Sequence, residues 1–192
     1  MQAWLMRNPK SDRLERLRVI FFDVDGVFTD GKTWQDQSGQ WRRSFSVRDT
    51  MGLRALGKAG IRVVILTPVV SPEIRTHFEL IGVDMIKDHC LEPLAAVEKI
   101  LNSYGYSVDE AAFVSEASDR SGVVELCLHE TPVYTTARLG GDGAVFEICN
   151  LILQYSGRRA RSQVASIPPS SQQTPQQTFQ QTTSIRTKVG EL

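Results

Sequence analysis

The stretch from Arg18 to Gly31 constrains this chain more than any other. Val19, Ile20, Phe21 and Phe22 form an unbroken apolar run that ends at Asp23. A run of β-branched and aromatic residues without polar alternation predicts a strand buried on both faces, as in a parallel sheet covered by helices. Asp23 and Asp25 emerge where that strand stops. Gly26 follows them and permits a backbone turn that a residue with a Cβ would resist. Two carboxylates at a strand end can hold a divalent cation and attack an anionic centre.

The rest of the chain decides what surrounds that pair. Its 192 residues, about 150 of them patterned, suffice for one domain that buries close to 70% of its unfolded surface. Lys+Arg and Asp+Glu both number 22, a balance that points to neither nucleic acid nor a membrane surface. Cys90, Cys127 and Cys149 are odd in number and lack a C-x-x-C pair, which fits a reducing, cytoplasmic setting and small buried hydrophobes. No run approaches the ~20 apolar residues of a membrane span.

Residues 1–17 read as a polar extension in which Ser11 is placed to cap a single turn. Residues 32–45 hold Trp34 and Trp41 on either side of a Ser-Gly turn and predict a β-hairpin, which alone cannot bury two indoles. A helix with Met51, Leu53, Leu56 and Ala59 ends at Gly60, and a strand over 61–66 ends at Thr67-Pro68. A second helix runs from Ser71 to Gly82, a short strand follows over 83–86, and a third helix carries Leu94, Val97, Ile100 and Leu101. Ser107 to Glu110 matches a capping box and introduces a strand over 111–114. A helix through Val123, Val124, Leu126 and Cys127, a strand over 132–136 and a closing helix from Ala144 complete the expected alternation. That order predicts an α/β fold, an open parallel Rossmann-like sheet with helices on both faces and a projecting β-hairpin. From Gly157 the chain turns to Gln, Thr, Ser and Pro after the basic cluster Arg158, Arg159 and Arg161, and residues 157–192 read as a disordered tail. The three expected segments are thus 1–17, 18–156 and 157–192.

The run from Asp23 to Gly31 resembles the opening motif of the haloacid dehalogenase superfamily, in particular the capless sugar-phosphate phosphatases typified by 3-deoxy-D-manno-octulosonate 8-phosphate phosphatase. The resemblance covers roughly residues 18–156 and implies a fold with no separate cap domain. It implies a phosphomonoesterase of lipopolysaccharide biosynthesis working through an aspartyl-phosphate intermediate. Asp23 would be the nucleophile and Asp25 the acid/base for the leaving alkoxide, roles that suit neighbouring carboxyl groups. It further implies Mg2+ held by Asp23, the Asp25 backbone carbonyl and an acid at Glu116. Thr67 would bind phosphate, or serve instead as a cap-like hydroxyl. The partners implied are a phosphorylated sugar and a homotetramer formed through the 32–45 hairpin.

The later motifs depart from the family pattern. Pro93 falls where a lysine is expected, so Lys87 and His89 are the nearby cations available to bind phosphate, unless both are only solvated loop residues. Pro68-Val69 stands in place of Gly-Arg, Ala117 replaces a second acid, Arg120 a final one, and Asp142 an arginine. Asp119 is one residue out of register and reads as a second ligand or a helix cap. Two functions follow from these residues: a phosphatase with impaired or altered activity, or a catalytically silent oligomeric scaffold or regulator on the same fold.

Overall fold

The structure, a computed structural model, describes residues 9–156. The tail expected over 157–192 and its basic cluster lie outside the described residues. Helix α1 (Pro9–Arg16) precedes β1 (Val19–Phe22), and a hairpin of β2 (Trp34–Gln35) and β3 (Trp41–Arg42) leads to α2 (Val47–Lys58). Next come β4 (Arg62–Leu66), α3 (Pro72–Ile81), β5 (Met85–Lys87) and α4 (Pro93–Tyr104). A single 3-10 turn (Val108–Glu110) opens β6 (Ala111–Glu116), followed by β7 (Val123–Leu128), β8 (Thr131–Leu139) and α5 (Ala144–Tyr155). Helix α1 starts two residues ahead of Ser11, so that residue lies inside the helix and not at the position before its first turn.

The main sheet has the order β5-β4-β1-β6-β7-β8, and the hairpin forms a separate two-stranded sheet. β1 sits between β4 and β6 and pairs in parallel with both, while β5 continues the parallel set beyond β4. Its side chains alternate between two cores. Ile20 and Phe22 join Leu53 and Leu56 of α2, Phe78 of α3 and Ile148 of α5 on one face. Val19 and Phe21 face Ile100 and Leu101 of α4 on the other. Each such side chain, when fully buried, contributes roughly 1.5–3 kcal/mol, which anchors β1 from both faces. Phe28, in the loop after β1, extends the first core, its ring centroid 5.4 Å from Phe22 and 4.9 Å from Phe78.

Local signals account for most helix ends. Ser71 accepts from the Ile74 N–H at 3.4 Å with Pro72 in the first turn, and Gly82 closes α3 in the left-handed region at φ 83°. The capping box also forms, with the Glu110 carboxylate accepting from the Ser107 N–H at 3.0 Å. One expected element is replaced. The helix foreseen through Val123 to Cys127 is the strand β7, antiparallel to both β6 and β8. Its burial alternates, with Val124, Leu126 and Leu128 buried and Val123, Glu125 and Cys127 half-buried, so the operative period is two and not 3.6. Asp119 consequently lies in the tight connection between two strands and caps no helix; its side chain is 74% exposed.

Helix α2 docks on α5 through a small residue and a buried acid. A Cβ on Gly52 would lie 3.0 Å from the Cys149 sulfur. Asp49, 1% exposed, accepts from the Phe146 N–H at 2.8 Å, satisfying a donor in the first turn of α5. Burial pushes the Asp49 carboxyl up from 3.8 to about 6, against the lowering effect of its backbone donors at Phe146 and Gly143. A carboxyl that is easier to protonate in the folded state contributes stability that is full below about pH 4 and lost as pH rises through about 6. Asp49→Ala is expected to cost about 1–3 kcal/mol in urea unfolding at neutral pH, because the Phe146 donor loses its acceptor. Asp49→Asn keeps that acceptor, is expected to cost less, and should flatten the decline in stability between pH 4 and 7.

Candidate active site

Because β5, β4, β1 and β6 run parallel, their carboxyl ends share one edge, where open α/β sheets bind ligands. Phe22 is level with Ile65 and Val114. Asp23 therefore follows at the same height as Leu66 and Ser115, with Thr67 and Glu116 one residue further on. The Asp23 N–H continues the ladder to the Val114 carbonyl at 3.0 Å. Lys87 ends β5, and its carbonyl accepts from the Thr67 N–H at 3.0 Å. All five residues expected at the site are thus brought to one edge of the sheet.

Their surroundings differ. Asp23 is half-buried and accepts from the Val24 N–H at 3.0 Å. Burial pushes its carboxyl above the ordinary range, opposed by that N–H and reinforced by the negative charges of Asp25 and Glu116. Glu116 packs directly over the turn, since a Cβ on Gly26 would come 2.5 Å from its Oε2. Its other oxygen accepts from the Gly122 N–H in the β6–β7 connection. Among the described residues, no three His, Cys, Asp or Glu side chains are grouped to hold a metal. Asp23 and Glu116 stand close enough for the charge of Glu116 to act on the Asp23 carboxyl, and carboxylate oxygens are the donors that magnesium takes.

Thr67 is 1% exposed, and its hydroxyl accepts from the Val69 N–H at 3.2 Å, leaving its hydrogen to be donated. The Lys87 residue is exposed at the strand end. The Cys90 thiol, pushed up by burial, is lowered by Lys87 and raised by Asp23, so it stands within electrostatic reach of both. Pro93 occupies the first turn of α4 and brings no charge. His89 adopts a left-handed conformation at φ 51° in the connection between β5 and α4.

The loop bearing Asp25 is held by Thr29 of its own motif and by a glycine turn from the far end of the chain. Thr29 is fully buried, and its hydroxyl accepts from the N–H groups of Gly26 and Gly31 at 3.3 and 3.2 Å. With both lone pairs in use, its hydrogen points to Asp25 Oδ1, 3.5 Å away. From the far end of the chain, the Gly141 N–H binds the Val27 carbonyl at 3.1 Å. A Cβ on neighbouring Gly140 would overlap the Gly26 carbonyl oxygen, which explains glycine there. Arg43, just beyond β3, grips Asp25 with Nε on Oδ1 at 2.7 Å and Nη2 on Oδ2 at 3.2 Å. It also lines a cleft of about 880 Å3 between the hairpin and the first turn of α3, walled by Trp41, Phe45, Glu73 and His77. The Phe45 and His77 rings stack there at 3.9 Å. An Arg-x-Phe segment closing a hairpin gives no sequence signal for an ion pair 18 residues back.

No family model matches the chain. It is 28% identical over 158 residues to the 3-deoxy-D-manno-octulosonate 8-phosphate phosphatase of Haemophilus influenzae, a span of 76% of this chain and 88% of that protein. In fold it is similar to the cobalt-bound form of the Haemophilus influenzae phosphatase, with TM-score 0.67 and 26% identity over 79% of this chain and 99% of that one. It is also similar to the Moraxella catarrhalis phosphatase solved with magnesium, phosphate and the sugar acid, with TM-score 0.72 and 21% identity over 82% and 98% of the two chains. The mainly parallel sheet, the flanking helices and the separate hairpin are the fold they share.

Burial and two neighbouring acids disfavour a charge on Asp23, so the ionised side chain costs stability in metal-free protein. This group's contribution is fully present below its unfolded value of 3.8 and is lost as pH rises through its raised folded value. Asp23→Asn is therefore expected to melt at a higher temperature than wild type at pH 7 without divalent cations, and the gain should close as pH falls toward 4. Scanning calorimetry across that range measures it.

Proposed function

We propose that this chain, a relative of the haloacid dehalogenase-superfamily 3-deoxy-D-manno-octulosonate 8-phosphate phosphatases, is a magnesium-dependent phosphomonoesterase acting on a phosphorylated sugar acid. The observation that carries this reading is the placement of Asp23 and Asp25 at the sheet edge, with Thr67 and Glu116 delivered beside them by the two strands that flank β1. In the proposed reaction, the Asp23 carboxylate attacks phosphorus to form an acyl phosphate as the sugar alkoxide leaves. The Asp25 carboxyl group gives its proton to that alkoxide and then takes one from the water that hydrolyses the intermediate. Thr67 donates its hydroxyl hydrogen to a phosphoryl oxygen.

Asp23, Glu116 and the Asp25 backbone carbonyl fit a divalent cation, which would offset the crowded negative charge at Asp23 and polarise the phosphoryl group. Fewer cations than usual greet the phosphate, since Pro93 and Asp142 stand where positive side chains are expected. A unit charge at 4 Å and an effective dielectric of 20 is worth about 4 kcal/mol, close to a thousandfold in rate, so turnover is expected to be slow. The exposed indoles of Trp34 and Trp41, 48% and 60% accessible, support assembly through the hairpin into a homotetramer.

The direct test is hydrolysis of a sugar-phosphate panel with and without magnesium. Wild type is expected to turn over 3-deoxy-D-manno-octulosonate 8-phosphate with metal, and Asp23→Asn to lose that activity altogether. Magnesium alone should raise the melting temperature of wild type and leave Asp23→Asn unmoved. Turnover of nothing in the panel would favour the silent scaffold instead. Light scattering should read a tetramer that Trp41→Asp reduces to smaller species.

A further inference from the structure

Arg43 joins the base of the hairpin to the loop that carries Asp25. Its side chain is only 8% exposed, yet the carboxylate it grips, that of Asp25, is 39% exposed and belongs to the site. Burying a guanidinium is costly unless its donors are met, and here the principal partner is that single acid. The residue is fixed from a second side as well. The Glu73 carboxylate, at the start of α3, accepts from the Arg43 backbone N–H at 2.8 Å. Three segments therefore meet at Arg43: the base of the hairpin, the loop after β1 and the first turn of α3.

The bonding pattern distinguishes the two Asp25 oxygens. A carboxylate offers about four lone-pair sites. Oδ1 faces two donors, Arg43 Nε at 2.7 Å and the Thr29 hydroxyl at 3.5 Å. Among the described residues Oδ2 takes Arg43 Nη2 alone, at 3.2 Å, and keeps its second site for another group. The fork is planar and bidentate, so it sets the orientation of the carboxyl plane as well as its position. We infer that Arg43 is a positioning residue for the leaving-group side of the reaction, holding Asp25 so that Oδ2 faces the departing alkoxide oxygen. Arg43 touches neither phosphorus nor metal in this role and acts only through Asp25. The inference rests on the phosphomonoesterase reading and adds to it a residue and an oxygen assignment.

The test compares two monoesters in the full-length protein with magnesium: an alkyl ester, 3-deoxy-D-manno-octulosonate 8-phosphate, and p-nitrophenyl phosphate, whose leaving group departs without a proton. Loss of acid positioning penalises the alkyl ester more. Arg43→Ala is expected to lower kcat on the alkyl ester about 10- to 100-fold more than on the aryl ester, with KM little changed. Added guanidinium should restore part of the loss, and Arg43→Lys, which keeps charge but not the fork, should fall between. In an Asp25→Asn background, Arg43→Ala should add almost nothing, since the two act as one unit. Equal losses on both esters, no guanidinium rescue, or full additivity with Asp25→Asn would each overturn the assignment while leaving the phosphatase reading intact. Should wild type hydrolyse neither ester, both readings fall together. If Arg43→Ala does not fold, Arg43→Lys and Arg43→Gln carry the same comparison.

Discussion

The parallel pairing of β1 between β4 and β6 is the constraint from which the rest of the molecule follows. Ile20 and Phe22 fill one core, Val19 and Phe21 the other, so a register slip of one residue would send each pair to the wrong face. Burial therefore locks the heights of the three strands relative to one another. Asp23, Thr67 and Glu116 inherit that alignment because each lies just past, or at, the end of its strand. The chemistry of the edge is placed by hydrophobic packing several ångströms below it.

The loop carrying Asp25 is determined from several directions at once. The Thr29 hydroxyl gathers two backbone donors and passes its own hydrogen to Asp25, so one buried side chain closes the turn. The Gly140-Gly141 turn presses on the same loop from the other end of the chain. Two neighbouring carboxyl groups thereby acquire unlike environments: Asp23 sits half-buried among acids, and Asp25 lies in the fork of an arginine.

Replacing the expected helix at 123–127 with β7 changes what frames the site. In place of a crossover helix, a short connection holding Ala117, Asp119 and Arg120 leads into an antiparallel strand, and its Gly122 N–H engages Glu116. Glu116 is thus held by a strand-to-strand turn, while Asp119 points to solvent beside Arg120.

Much of this was legible in residues 18–31 and in the turn chemistry that follows: the buried β1, the acid pair before Gly26, the hairpin with its exposed indoles, and the ends of α3 marked by Ser71, Pro72 and Gly82. Those features depend on local periodicity, on φ preferences and on capping, all of which are written in contiguous residues. The strand at 123–128 was missed because a short apolar segment satisfies both periods until its partners are known. Arg43 on Asp25, Asp49 on the first turn of α5 and Gly140 against Gly26 were beyond reach for a different reason. Each joins residues far apart in the chain, and whether a given arginine, acid or glycine meets its partner is decided only when packing has set the distance between segments that local sequence leaves independent.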